Sequence, residues 1–253
     1  MHFLLTNDDG FDSPELRLLC CAAASRGHRV TVSAPEEQQS GKSHAFSVFH
    51  PLWVREDSIP GAEKAYRVRG TPVDCCRLGF MSLAGDRVDA VLSGINFGYN
   101  IGLATYVSGT VGAAREAAFA GYPSLAVSME PHTPEDMREF FADYAVRTAE
   151  MMVIGERTYP PQSVCNLNAP CCHVDELKGA KVCGISKLMY KDSYTRYDGP
   201  RGDITYWLKP MEVETNPEPD KDLGLLMQNW ITVTFLTPDP CDQEQWADFP
   251  LQR

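Results

Sequence analysis

The alternation of apolar and polar residues in the first part of the chain predicts strands and helices in turn. Residues 2–6 (HFLLT) form a short apolar run that is typical of a buried strand. Ser13 and Pro14 predict a helix start, because serine caps helices and proline favours the first helical position. Apolar residues then recur at helical spacing until Gly27, which ends the helix. Residues 29–35 (RVTVSAP) predict a second strand.

The same alternation continues downstream and becomes less regular after residue 163. Met and aromatic residues recur at helical spacing in the last predicted helix, which favours a core-facing side over a cofactor site. Strands that alternate with helices predict right-handed crossovers and a mostly parallel sheet covered on both faces. The predicted strands are 65–69, 88–92, 124–128, 163–170 and 181–185, and the predicted helices are 72–84, 109–120 and 134–153.

The pattern loosens towards the C-terminus. Residues 187–222 are mixed, whereas residues 230–236 (WITVTFL) predict a strand because they are β-branched and aromatic. We therefore expect one α/β structural domain: a three-layer, Rossmann-like core at 1–187 and a strand-rich C-terminal extension at 188–253 that completes the fold.

Composition narrows the class of protein. The chain has 253 residues, of which 43% are hydrophobic and 23% charged, as in an ordinary globular enzyme. It contains no run of roughly 18 apolar residues and begins without a signal-peptide pattern, so we expect a cytoplasmic protein with no membrane partner. Six of the nine cysteines are adjacent pairs, which disfavours disulfides and favours reduced thiols. A net charge of −11 without a basic cluster argues against long nucleic acids.

Ligands of parallel α/β sheets bind beyond the carboxyl ends of the strands. In this sequence the predicted strands are followed there by polar, glycine-rich stretches, which we expect to converge on one edge of the sheet. These stretches are TNDDG (6–10), APEEQQSGKS (34–43), RGTPVDCC (69–76) and SGINFGYNIGLATYVSGT (93–110).

Two adjacent carboxylates, Asp8 and Asp9, are the first candidates for chemistry. They cannot both be buried and ionised without a positive partner, and oxygen ligands favour Mg²⁺, Mn²⁺ or Ca²⁺ over zinc. An exposed Asp-Asp-Gly turn fits the same residues, so both interpretations stay open.

The other polar stretches have similar alternatives. Residues 40–43 (SGKS) lack the full phosphate-loop pattern, which favours a flexible loop. Ser108 begins the predicted helix 109–120, whose free N–H groups favour an anion, although ordinary capping explains the same serine.

Five motifs then occur in one order, and they resemble the SurE (survival protein E) family of 5′/3′-nucleotidases. Weaker similarities at 166–170, 200–207 and 230–234 extend the resemblance over nearly the whole chain. The motifs are N-D-D-G at 7–10, A-P-x-x-x-x-S-G-x-S at 34–43, G-T-P-x-D-C at 70–75, S-G-I-N-x-G-x-N-x-G at 93–102 and S-G-T-V-x-A-A-x-E at 108–116.

The resemblance implies a metal-dependent phosphomonoesterase that hydrolyses nucleoside 5′-monophosphates and, in some members, 3′-monophosphates or polyphosphate. It implies a homodimer or homotetramer whose C-terminal segment is exchanged between subunits. It also implies one divalent cation per subunit (Mg, Mn or Ca), with Asp8 and Asp9 as both catalytic residues and metal ligands. The full metal set is Asp8, Asp9, Ser40 and Asn96, and the expected substrate and phosphate contacts are Ser43, Asn100, Ser108, Gly109 and Thr110.

Some positions depart from the family pattern. Gln38 and Gln39 replace an asparagine and a frequent arginine, and Tyr106 lies one position early before S-G-T. Asn229 and Phe235 replace a glycine and a proline near the last strand. None of these changes affects the four expected metal ligands.

Two other functions compete with hydrolysis. A non-catalytic, regulatory nucleotide-binding module would keep the same crevice and would bind nucleotides without releasing phosphate. A nucleotide-sugar transferase would need a second Rossmann unit, and the sequence after residue 163 has no pattern of that kind.

Overall fold

The computed structural model describes residues 1–155, 159–187, 193–209 and 217–238. In these residues a nine-stranded sheet is covered by helices. The helices and strands of the described residues are β1 (His2–Thr6), α1 (Pro14–Ser25), β2 (Arg29–Pro35), β3 (Trp53–Asp57), β4 (Lys64–Arg69), α2 (Pro72–Leu78), β5 (Ala90–Phe97), α3 (Gly109–Phe119), β6 (Ser124–Met129), α4 (Glu135–Ile154), β7 (Val164–Ala169), β8 (Ala180–Val182), β9 (Ser193–Asp198), β10 (Ile204–Lys209), α5 (Asp222–Leu226) and β11 (Ile231–Leu236).

The strand order is β3-β4-β2-β1-β5-β6-β7-β11-β8. The strands from β4 to β7 are parallel, whereas β3 and β11 run antiparallel to β4 and β7. The predicted α/β class with a mostly parallel sheet is thereby confirmed. The strand β11 of the C-terminal extension pairs with β7 in the same sheet, while the boundary between core and extension stays a prediction.

Successive residues of β1 serve opposite faces of the sheet, as expected for a strand that is buried on both sides. Phe3 and Leu5 pack with residues of α1 and α4, and Leu4 packs with residues of α2 and α3. The core lies in two layers, with β1 central to both. This packing fixes the end of β1, where the aspartates follow.

The aromatic and Met residues of α4 face the core, as predicted. Met137 and Phe141 are fully buried, and Phe140 and Tyr144 pack against the same cluster. Within the described residues, no helix is long and apolar enough to cross a membrane.

Several elements differ from the prediction. The strand expected at 88–92 continues to Phe97, and the helix expected at 72–84 ends at Leu78 and is followed by a π-helical turn, Gly79–Leu83. The elements β3, β9, β10 and α5 were not predicted. The strands β9 and β10 form a separate antiparallel pair, and β10 is exposed along its whole length.

Candidate active site

The turn that carries Asp8 and Asp9 follows β1 directly at the carboxyl edge of the sheet. Asn7 donates from Nδ2 to the carbonyl of Gly10 over 2.9 Å. Gly10 has φ +100°, a conformation that glycine adopts without steric cost. The next residue, Phe11, donates its N–H to the carbonyl of Pro35 over 2.8 Å. The turn is therefore tied both to itself and to the end of β2.

Asp8 is buried, with 3% of its surface exposed, against the first turn of α3. Its Oδ1 accepts a hydrogen bond from the hydroxyl of Thr110. A Cβ on Gly109 would lie 3.0 Å from both Cβ and Oδ2 of Asp8, so a side chain there would crowd the carboxylate. Burial raises the pKa of Asp8, and the backbone N–H groups of Gly109 and Thr110 oppose that rise. The positive end of the helix thus lies against a buried carboxylate.

Asp9 is less buried and is held from β5. Its Oδ2 accepts the backbone N–H of Phe97 over 3.0 Å. Burial raises the pKa of Asp9 to about 6, the Phe97 N–H opposes this, and the charges of Asp8 and Glu15 add to it. In the described part of the chain, neither Asp8 nor Asp9 forms an ion pair with a basic side chain.

Asn96 lies beside Asp9 because β5 is longer than predicted. The side chain donates from Nδ2 to the carbonyl of Gly98 over 2.7 Å, which leaves Oδ1 as the atom for a ligand. The strand pairing shifts between Ser93 and Asn96, and Gly94 lies so close to β6 that a Cβ would be 2.3 Å from the carbonyl oxygen of Val127. This irregular strand end brings Asn96 next to the N–H that holds Asp9.

Ser40 is exposed on the loop that follows β2. The preceding residue, Gln39, donates its N–H to the carbonyl of Asp8 over 2.7 Å. That bond ties the loop to the aspartate turn one residue before Ser40. The structure thus gathers Asp8, Asp9, Asn96 and the Ser40 segment at one edge.

Ser43 fixes the far side of the same loop. It donates from its hydroxyl to the carbonyl of Tyr106 over 2.7 Å, and from its N–H to the carbonyl of Val107 over 3.0 Å. Its own carbonyl packs so closely on α3 that a Cβ on Gly112 would lie 2.1 Å from it. The Ser43 hydroxyl therefore holds the loop, and its predicted contact with phosphate stays a prediction.

Asp74 holds two segments near the site together, and it was not among the residues predicted from the sequence. Its carboxylate accepts the N–H and the hydroxyl of Ser47, each over 2.8 Å, and the N–H of Thr71 over 2.9 Å. The Thr71 hydroxyl in turn donates to the carbonyl of Ala45 over 2.6 Å. The G-T-P-x-D motif was the available signal, and its aspartate positions the loop of Ser40.

Asn100 lies in a buried network of amide side chains. It donates from its N–H to Oδ1 of Asn168 over 2.9 Å and from Nδ2 to the hydroxyl of Ser128 over 2.8 Å. Its carbonyl accepts from the side chains of Asn166 and Asn168. These contacts give Asn100 a positioning role for the segment that leads to α3, and its expected contact with substrate stays a prediction. The N-L-N-A-P motif supplies two of the partners.

The side chains at the start of α3 already form hydrogen bonds within the protein. The Ser108 hydroxyl accepts the N–H of Val111 over 3.1 Å, which is ordinary capping, and Thr110 donates to Asp8. The two alternatives for Ser108 therefore resolve towards a cap, and the phosphate contacts expected of Ser108, Gly109 and Thr110 stay predictions.

The donor set fits a hard divalent cation. In the described residues, no group of three or more His, Cys, Asp or Glu side chains is placed to hold a metal. The available ligands are two carboxylates, an amide oxygen and a hydroxyl. Buried oxygens without a hydrogen-bond partner also lie along the edge, among them Oδ1 of Asn7. Oxygen-rich sites of this kind suit Mg²⁺, Mn²⁺ or Ca²⁺.

Comparison with known proteins identifies the family of this chain. A family model described as "Survival protein SurE" matches residues 3–192. The chain is 39% identical to 5′-nucleotidase SurE of Nitratidesulfovibrio vulgaris (strain DSM 19637 / Miyazaki F), over 95% of this chain and 88% of that protein. It is 36% identical to 5′-nucleotidase SurE of Thermosipho africanus, over 94% of this chain and 93% of that protein.

Its fold also matches a solved structure. The crystal structure of SurE from Aquifex aeolicus aligns with a TM-score of 0.80 and 32% identity, covering 98% of both chains. This covers the mostly parallel sheet and also the C-terminal strands. The chain belongs to the SurE family.

Proposed function

We propose that this protein is a 5′-nucleotidase, a phosphoric monoester hydrolase that converts nucleoside monophosphates to nucleoside and phosphate. The observation that carries the proposal is the pair of adjacent, largely buried carboxylates, Asp8 and Asp9, which lack a basic partner in the described residues. The relatives named 5′-nucleotidase SurE, which align over nearly the whole chain, support the same activity. Action on 3′-monophosphates or polyphosphate stays a prediction.

The metal is the second part of the proposal. Asp8, Asp9, Ser40 and Asn96 would hold one divalent cation, and their oxygens fit Mg²⁺, Mn²⁺ or Ca²⁺. Such a cation, when bound, would supply Lewis-acid chemistry: it would polarise phosphoryl oxygens and lower the pKa of a water molecule.

The chain's own residues orient this chemistry. Thr110 and the N–H groups at the start of α3 fix Asp8, and the Phe97 N–H fixes Asp9. Since both carboxylates are held from rigid elements, they meet a substrate without rearrangement, which is how positioned charge lowers a phosphoryl-transfer barrier. The N-terminus of α3 would also add positive potential where the phosphate would lie.

The nucleoside half has room beside the site. A polar cavity of about 480 Å³ lies between the Ser40 loop and residues 70–71, lined by Gln39, Lys42 and Arg69 among others. Arg69 is paired with Glu36 over 2.6 Å, whereas Lys42 forms no ion pair with a described residue. We place the nucleoside there, with Lys42 as the free cation at its rim.

We also propose a homo-oligomer, a dimer or tetramer, that forms through β9 and β10. Their aromatic side chains are largely exposed, including Tyr194 at 66%, Tyr206 at 59% and Trp207 at 70%. Exposed aromatic surface of this extent marks contact surfaces. Exchange of the C-terminal segment between subunits and the cytoplasmic location stay predictions.

The test is release of phosphate from a panel of ribo- and deoxynucleoside monophosphates by wild-type protein and by Asp8→Asn, with each cation and after chelation. We expect cation-dependent release that Asp8→Asn loses. Saturable nucleotide binding by the wild type without phosphate release would instead identify a non-catalytic binding module and overturn the proposal.

A further inference from the structure

We propose that Arg115 forms a second anion site, separate from the aspartates, that binds the phosphate group of a small molecule. Arg115 lies on α3 and lines a cavity of about 490 Å³. The cavity also meets Tyr106, Phe119, Thr234 and Phe235. No residue given above as a metal ligand or phosphate contact lines it.

Arg115 carries a charge that the described residues do not balance. Within the described residues, its one hydrogen bond runs from Nη2 to the carbonyl of Thr105 at 3.4 Å, which is long for such a bond. Other arginines of the fold have carboxylate partners, for example Arg26 with Glu150 at 2.7 Å and Arg77 with Glu116 at 3.0 Å.

The position of Arg115 is costly without a ligand. Burial lowers the pKa of the guanidinium, which shows that its surroundings disfavour the charge. Arg115 is half-buried and has no carboxylate partner among the described residues, so a bound anion would stabilise its charge. A ligand is therefore expected where the cavity meets Arg115.

The cavity lies apart from the aspartate edge. Arg115 follows Thr110 by five residues on the same helix, which places it about 7.5 Å further along the axis and about 140° around it. Thr110 faces Asp8. An anion on Arg115 therefore occupies a different side of α3 from a substrate at the aspartates.

The lining suits a phosphate group. Arginine offers a planar fork of N–H donors that matches phosphate oxygens, and no acidic residue lines the cavity in the part of the chain that the structure describes. Tyr106 and Phe119 line the cavity and are 53% and 45% exposed overall. Phe119 stacks on His44, so the ring of Tyr106 offers the flat surface for a nucleotide base. Inorganic phosphate and a nucleoside monophosphate share the required chemistry.

Calorimetric titration with inorganic phosphate and with AMP tests the proposal. The titration uses Asp8→Asn protein in the presence of chelator, so that the aspartate site is disabled. We expect saturable binding that Arg115→Gln weakens by about tenfold or more, as for loss of a charge-assisted hydrogen bond. Arg115→Lys should retain part of it. Arg147→Gln, on α4 and outside the lining of the cavity, is the matched control and should bind normally.

Thermal unfolding gives a second readout that a merely structural role would not produce. Without anion, Arg115→Met should be at least as stable as the parent protein, because a half-buried charge without a carboxylate partner in the described residues is removed. Phosphate should raise the Tm of the parent and leave that of Arg115→Met unchanged.

The result that overturns the proposal is absence of phosphate and AMP binding in Asp8→Asn, or equal binding by Arg115→Gln. AMP that binds more tightly than phosphate would identify a nucleotide as the ligand, and equal affinity would identify the phosphate ion; both results support the site. Failure of the proposed nucleotidase function is detected separately, because it is measured as phosphate release by the wild-type protein.

Discussion

Carboxylates in two regions of the molecule have opposite environments. At the carboxyl edge of the sheet, burial raises the pKa of Asp8 and Asp9, and within the described chain no arginine or lysine pairs with either. At the ends of α1 and α4, Glu150 accepts two hydrogen bonds from Arg26, which holds its pKa below the usual range. Both regions carry negative charge, but only the second contains its own cation.

The difference indicates what the edge is for. Elsewhere in this fold arginine neutralises surface carboxylates. Asp8 and Asp9 at the sheet edge instead accept hydrogen bonds from backbone N–H groups and from the Thr110 hydroxyl. These contacts orient the oxygens without neutralising two charges. The missing positive charge would come from a divalent cation, which would carry the chemistry of this edge. Removal of the cation would lower the stability of the fold, because the two carboxylates would then lack a positive partner.

The largest effect is expected from Asp8→Asn. It should lower phosphate release from nucleoside monophosphates by on the order of 10³-fold or more, because cation polarisation supplies several kcal/mol of transition-state stabilisation. In chelator its free energy of unfolding should equal or exceed that of the wild type, since a buried charge is removed. Asp143→Asn on α4 is the matched control and should keep full activity. Activity of Asp8→Asn equal to wild type would contradict the site assignment.

Gly109→Ala tests the close approach of α3 to Asp8. The new Cβ would lie 3.0 Å from Cβ and Oδ2 of Asp8, so the helix or the carboxylate must move. We expect a loss of about 1–3 kcal/mol in unfolding free energy, measured by urea denaturation. Activity should fall as well, because the orientation of Asp8 changes. Normal stability and activity would mean that the approach is not needed.

Ser108→Ala removes the cap of α3 without adding volume. Since the hydroxyl accepts the Val111 N–H, the variant should lose about 1 kcal/mol of stability. The rate should change far less than in Asp8→Asn. A rate loss as large as that of Asp8→Asn, at normal stability, would show that the hydroxyl contacts substrate directly.

Glu150→Gln is expected to have the smallest effect. It concerns the region at the ends of α1 and α4, where Arg26 neutralises the carboxylate. The pair with Arg26 is partly exposed, so the variant should lose no more than about 1 kcal/mol at neutral pH. The pKa of Glu150 is lowered in the folded state, so its contribution is present above the ordinary value of 4.5 and disappears as the pH falls through the folded pKa. Denaturation curves of both proteins from neutral to acidic pH should converge. A difference that grows on acidification would contradict this pairing.

The pattern of apolar and polar residues predicted the helices and strands that bury one or both of their faces. The end of β1, the start of α1 and the start of α3 all lie where the periodicity and capping residues indicate. By contrast, β3 and β10 were missed because their residues are largely exposed and carry no buried-face signal.

The sequence predicted which residues form the site, but it did not predict most of the contacts between them. Asp8 and Asp9 stood out as paired carboxylates, and the family resemblance added Ser40 and Asn96. That β5 continues to Phe97, whose N–H holds Asp9, depends on a strand irregularity that periodicity does not reveal. The bond from Thr110 to Asp8 joins residues 102 positions apart and depends on tertiary packing.

Cation binding tests the central claim most directly. Chelated wild-type protein is titrated with Mn²⁺, Mg²⁺ and Ca²⁺ by calorimetry, beside Asp8→Asn and Glu150→Gln. We expect one cation per subunit in the wild type and in Glu150→Gln, a rise in Tm on binding, and no such binding in Asp8→Asn. Wild-type protein that binds no cation, or that hydrolyses nucleoside monophosphates at full rate after thorough chelation, would contradict the claim.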